Sequence, residues 1–269
     1  MSDIVIEGNV TIGPGIWIGD IPTPTIVRTA FTSSGNFTVP SNVYIVSANL
    51  LLVGGGGGAG LNQTIGPGSG GGAGGFISNL NIIDKFIAGS SYVITVGSGG
   101  SVNSNGTNSS AFGYTAIGGG QGNVGGPGGN GGSGGGGTVT KTGTISAYGN
   151  STQANLGYGS GNAGRAATFT ANVVAESGGG GGPGSTAGRP ATSQGYGAVE
   201  NNQLVAGGMT NTRYCAGGSG EYYNISSNTY SRYARATSYK GAGGGDNIYP
   251  TDTGQDGLCV VVYSYVPLD

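Results

Sequence analysis

The chain has 269 residues, of which 64 are glycine and only 7% are charged, with a formal net charge of −2 and no histidine. Soluble domains ordinarily carry roughly 25% charge, and disordered segments carry few aromatics, so fifteen tyrosines and six phenylalanines in so uncharged a chain point to an ordered protein. The same figures exclude counterion-release binding to nucleic acid and any Ser-His-Asp or Cys-His catalysis. Glycine does not recur strictly at every third position, which excludes a collagen helix.

Residues 1–26 differ from the rest. Ile4-Val5-Ile6 and Val10-Thr11-Ile12 alternate, Gly13-Pro14-Gly15 turns, and Ile16-Trp17-Ile18 follows before the Pro22-Thr23-Pro24 linker. This segment reads as an arm of short strands. Residues 27–117 read as a β-rich base containing the first glycine blocks. Phe37-Thr38-Val39-Pro40 and the strand Val43 to Val53 come first, then the bursts Gly54 to Gly60 and Gly66 to Gly75. The apolar pattern returns in Phe76 to Ile87, Tyr92 to Val96 and Ala111 to Ile117. Residues 118–256 alternate glycine blocks (Gly118 to Gly137, Gly178 to Gly188, Gly241 to Gly245) with polar segments that carry aromatics. Lys141, Arg165, Arg189 and Arg213 recur evenly here, which fits a succession of rods and loops. Residues 257–269 hold an almost unbroken run of β-formers, Leu258 to Val266, expected to close the base by pairing with the early strands.

Long glycine runs are normally flexible linkers, because glycine loses the most backbone entropy on ordering. Linkers lie between domains and are enriched in Ser, Glu or Lys. These blocks are many, are separated by aromatic segments, and are bracketed by complementary strands. An ordered scaffold is therefore expected, built from the extended left-handed helix with three residues per turn, which has no internal hydrogen bonds. Its amides must find carbonyls on neighbouring rods, and only glycine allows rods to approach that closely.

Phe37 to Pro40, Leu51 to Gly60, Gly70 to Phe76 and Tyr92 to Gly97, closed by Gly257 to Tyr263, resemble in their order the glycine-rich domains of phage tail-fibre and tail-tip proteins. Beyond Gly118 the chain is also similar to the monomeric adhesins that cap long tail fibres of some T-even phages. That resemblance implies a fold that is mostly β and irregular: a small β-sheet base with a polyglycine II helix sandwich and no significant α-helix. It implies a fibre-tip protein of the virion, made in the host cytoplasm, that binds an outer-membrane protein or lipopolysaccharide of the host and caps a trimeric tail-fibre protein. Residues 1–26 depart from the attachment region of those adhesins.

No residue pattern supports an enzyme or a cofactor. GxGxxG matches are trivial in so glycine-rich a chain. Cys215 and Cys259 lack CxxC spacing and are expected as free thiols, with no metal site. Asp246, Asp252 and Asp256 are expected on a solvated face. Glu176, Glu200 and Glu221 fall in different loops and leave a paired-carboxylate glycosidase site open. No apolar run is long enough to insert in a membrane.

Binding is the better-supported chemistry. The segments after Gly137 offer Tyr148, Tyr158, Phe169, Tyr196, Tyr214, Tyr222, Tyr223, Tyr230, Tyr233 and Tyr239 beside Asn, Ser and Thr, the mixture found in antibody loops. With Arg213 and Arg232, suited to carboxylate or phosphate groups, these are the candidate receptor-contacting residues. Arg165 and Arg189 read equally as surface contacts or as rod-end residues bonded to free carbonyls. In the arm, Ile4, Ile6, Ile16, Trp17 and Ile18 are the candidate fibre-attachment residues, because so short an arm cannot bury a tryptophan alone. The alternative to an adhesin is a purely structural cap whose tyrosines cover the glycine scaffold.

Overall fold

The computed structural model describes residues 23–61, 64–178, 180–182, 198–199, 213–232, 240–244 and 253–268. The arm residues Ile4, Ile6, Ile16, Trp17 and Ile18 lie outside them, as do Arg189, Tyr196, Glu200, Tyr233, Tyr239, Asp246 and Asp252.

The fold is mostly β-strand in small antiparallel sheets, irregular elsewhere, with helical turns only at Ile83–Lys85 and Gln153–Leu156 among the described residues. In chain order the strands are β1 (Thr25–Phe31), β2 (Gly35–Thr38), β3 (Val43–Val53), β4 (Phe76–Asn81), β5 (Ser91–Ile94), β6 (Ser109–Ala111) and β7 (Tyr114–Ala116). They continue with β8 (Thr168–Thr170), β9 (Val174–Glu176), β10 (Ala198–Val199), β11 (Arg213–Tyr214), β12 (Glu221–Asn224), β13 (Thr229–Arg232) and β14 (Leu258–Pro267).

The main sheet has the order β1-β14-β3-β4, so the closing run lies between two strands from the start of the domain. This explains why Leu50 to Val53 and Leu258 to Tyr263 are apolar without alternation: both faces of the sheet are covered. On one face Leu50, Leu52, Cys259, Val261 and Tyr263 join Phe37, Phe86, Ile94 and Phe112 from the β2-β5 and β6-β7 side. On the other, Leu51, Val53, Leu258, Val260 and Val262 meet Phe76, Tyr214 and Cys215. Both thiols are free and buried. Burial pushes the Cys259 thiol up to about 12 and raises Cys215 further, so both stay protonated at neutral pH.

Where the strands end, the glycine blocks begin, and their hydrogen bonds repeat every three residues. The N–H groups of Gly54, Gly57 and Gly60 donate to the carbonyls of Gly75, Gly72 and Ser69. Gly55 and Gly58 donate to Thr107 and Ser104, and Gly56 donates to Gln255. In return, the carbonyls of Gly55 and Gly58 accept from Gly119 and Gly122, those of Gly56 and Ala59 from Gly100 and Asn103, and that of Gly57 from Gly244. Donors and acceptors with this repeat, each set aimed at a different neighbour, are what a threefold extended helix flanked on all sides by other extended segments must produce. Residues 69–75 do the same: Ser69, Gly72 and Gly75 donate to Asn123, Gly120 and Ile117, Gly70 and Ala73 to Gly178 and Gly181, and Gly71 and Gly74 to Gly244 and Gly241. The glycine blocks before and after Gly118 are thus interleaved in one lattice that adjoins the sheet.

Side chains finish the lattice where rods run out. Asn108 and Asn105, three apart, accept through Oδ1 from the N–H groups of Gly118 and Gln121, also three apart, at 2.9 and 2.7 Å. Fully buried Gln153 accepts from Ile117 N–H and donates to the carbonyls of Thr115 and Tyr158. For Gln153 this is the polar satisfaction that burial demands.

The close approach sets the glycine requirement. A Cβ on Gly71 would lie 2.1 Å from the Gly57 carbonyl oxygen and 2.7 Å from that of Gly58. At Gly157 nothing lies within 4 Å, although φ is +73°. Gly71→Ala is therefore expected to cost about 3 kcal/mol by overpacking, and Gly157→Ala about 1 kcal/mol from its left-handed backbone alone. Urea unfolding midpoints of the two variants check this order, and equal midpoints would contradict it.

Candidate functional site

The second four-stranded sheet, in the order β13-β12-β9-β8, gathers more of the candidate contact residues than any other described element. Its root is fixed to the lattice at Pro67 and Gly68. Buried Glu221 accepts from Gly68 N–H through Oε2 at 2.7 Å, and its own N–H donates to the Gly68 carbonyl at 2.7 Å. Ser177 N–H donates to the Glu221 carbonyl, and the Ser177 hydroxyl donates to the carbonyl of Pro67 at 2.6 Å.

Strand alternation then sorts the side chains. Glu221 and Tyr223 point inward, where Tyr223 packs with Val139, Ala167 and Ala175, joined by Phe169, Ile225 and Tyr230. The rings of Tyr223 and Tyr230 are 4.6 Å apart, and Lys141 Nζ lies 5.2 and 5.3 Å from their centroids. A hydrogen bond with Tyr230 raises the Lys141 pKa against the opposing effect of desolvation. The Tyr223 hydroxyl donates to Asn228 Oδ1 at 2.9 Å, and Ser227 N–H donates to Asn224 Oδ1 at 3.0 Å, which holds the β12-β13 turn with Asn228 at φ 53°. Phe169 lies against Gly143, where a Cβ would fall 2.7 Å from its ring.

The outward row is different in kind. In the register Tyr222 is opposite Glu176, which is opposite Thr168, and Asn224 is opposite Val174, which is opposite Thr170. Thr168 donates its hydroxyl to Glu176 Oε2 at 3.0 Å. Thr168, Thr170 and Thr229 are exposed, and Val174, Glu176, Tyr222 and Asn224 are half-buried. This is a row of hydroxyls, one amide, one carboxylate, one tyrosine and one valine, on a sheet bonded at its root to the lattice.

The other candidates divide. Tyr214, only 3% exposed, stacks on Phe76 at 6.1 Å in the core, so it is a packing residue, not a surface contact. Tyr223, at 7%, is a packing residue for the same reason. Tyr158 sets its ring edge-on to Tyr114 at 5.2 Å beside the main core, away from the β8-β9-β12-β13 sheet. Tyr148 is exposed, on a stretch joined to the lattice. Arg213 pairs in β11 with Val199, and Arg232 in β13 lies opposite Glu221. The Arg165 carbonyl accepts from Gly137, and its exposed side chain makes no hydrogen bond to the described residues. Glu176 and Glu221 belong to adjacent strands and opposite faces, one outward and one buried, which rules them out as a pair flanking one glycosidic bond. Lys141 was not among the expected site residues. Its partners lie about eighty positions on in the chain, and no local pattern connects them.

The glycine-rich domain family matches residues 31–264, from the end of β1 into β14. The chain belongs to this family. No curated protein matches it. Among the described residues no helix is long and apolar enough to cross a membrane.

Replacing Glu221 tests the root of the sheet. Glu221→Ala leaves the buried Gly68 N–H without its carboxylate and is expected to cost about 2 kcal/mol, whereas Glu221→Gln keeps an acceptor and costs less. Thermal unfolding of both variants gives the comparison, and equal stability of Glu221→Ala and the parent would refute the anchoring role.

Proposed function

We propose that this member of the glycine-rich domain family is a receptor-binding adhesin at the tip of a bacteriophage tail fibre. In this reading it contacts an outer-membrane protein or lipopolysaccharide on the host bacterium and starts adsorption. Residues 1–26 join it to a trimeric fibre protein, with Trp17 and its neighbouring isoleucines as the apolar contact, and the site of action is the virion.

The observation that carries the reading is the outward row of the β8-β9-β12-β13 sheet. A recognition surface needs large contact area at low entropic cost and adaptable hydrogen-bonding groups around it. Tyr222 supplies the first, and Asn224, Glu176 and the three threonines supply the second. The tyrosines on the inward side, Tyr223 and Tyr230, pack against each other at a tilt beneath the row. A glycine lattice suits this task because it is rigid yet leaves almost no side chains of its own to compete for the partner.

The double variant Tyr222→Ala, Thr170→Ala tests this. Both side chains lie on the open face, so folding is expected to be retained. Binding of the purified protein to susceptible cells is expected to fall about thirtyfold or more, as for loss of an interface hot spot of about 2 kcal/mol. Undiminished binding by a folded double variant would remove this face from recognition.

A further inference from the structure

A cavity of about 230 Å³ lies away from that sheet, between the β1-β2 bend and the start of the lattice, lined by Thr32, Ser33, Ser34, Val96, Gly97, Ser98 and Asp256. Both of its walls are fixed. Ser34 Oγ accepts from Val96 N–H at 3.0 Å, which ties the bend to the end of the β5 segment. Asp256 Oδ1 accepts from Gly99 N–H at 2.9 Å, and the Asp256 carbonyl accepts from Gly241, which ties the opposite wall to the lattice. Against this fixed frame the hydroxyls of Thr32 and Ser33 and the second carboxylate oxygen of Asp256 make no hydrogen bond to the described protein.

We propose that this cavity binds a single neutral sugar residue. Its volume is below the range of about 300–1,000 Å³ typical of pockets for drug-sized ligands, which suits one ring. The unused groups are two hydroxyls, which donate and accept, and a carboxylate oxygen, which accepts: the complement of a ring carrying several hydroxyl groups. Half-buried Val96 offers an apolar surface for a C–H face of the ring. No Lys or Arg lines the cavity, and Asp256 repels acidic sugars, so selectivity is for neutral rings. The inference rests on the adhesin reading only for its biological source, the outer polysaccharide of the host, since the cavity lies apart from the sheet face assigned to recognition.

Saturation-transfer NMR on the full chain with the methyl glycosides of neutral hexoses, at about 10 mM to suit millimolar affinity, gives a readout independent of cells. Transfer to at least one neutral hexoside is expected, weakened about tenfold by Ser33→Ala and by Asp256→Asn, the latter keeping the acceptor for Gly99. No transfer from any neutral hexoside, equal transfer to folded Ser33→Ala and Asp256→Asn, or preference for an acidic sugar would overturn the proposal. Cell binding that survives a negative NMR result would leave the adhesin reading standing while this one fails.

Discussion

Everything in this structure depends on the contact between one glycine N–H and a carbonyl on the next rod. In an ordinary domain the backbone is satisfied inside helices and sheets, and side chains fill the space between them. Here the space between segments is filled by backbone itself. The rod from Gly54 to Gly60 is bonded to six neighbouring segments, through residues 69–75, 104–107, 255, 100–103, 119–122 and 244. At such separations even one methyl group collides with a carbonyl, as the 2.1 Å approach at Gly71 illustrates. Glycine's large entropy loss on ordering is offset by a dense set of hydrogen bonds shielded from water.

The hydrophobic sheet makes that lattice possible. β3 runs straight into Gly54, β4 emerges from Gly75, and β14 begins just after Gly257, so the sheet sets where rods start and in which direction they run. Antiparallel pairing of β3 with β4 carries over into the antiparallel bonding of residues 54–60 with residues 69–75. Long-range order therefore passes from packed Leu, Val and Phe side chains to a region with almost none. Farther out, Glu221 and Ser177, bonded to Gly68 and Pro67, pass it on to the small sheet that presents Tyr222.

Much of the fold was legible in the sequence, and the reason is physical. Glycine blocks bracketed by apolar β-formers have few ordered solutions, and the three-residue helix is the one that leaves donors and acceptors free for neighbours. The run of β-formers from Leu258 to Val266 implied a closing strand paired with the early ones, which is β14 between β1 and β3. Which rods neighbour which was not legible, because every glycine block presents the same backbone, and identical chemistry carries no address. The tyrosines were harder still. Tyr214, Tyr222 and Tyr223 have similar polar surroundings in the sequence, yet one is core, one faces out and one is a platform. Alternation in a strand as short as Glu221–Asn224 becomes readable only once its buried root is known.

Amide hydrogen exchange on the intact chain tests the lattice most directly. If the glycine blocks are rods bonded to their neighbours, the amides of residues 54–60 and 69–75 exchange as slowly as those in the centre of β3 and β14. Exchange of these glycine amides at the rate of an unstructured chain, while the strand amides stay protected, would contradict the lattice and the account built on it.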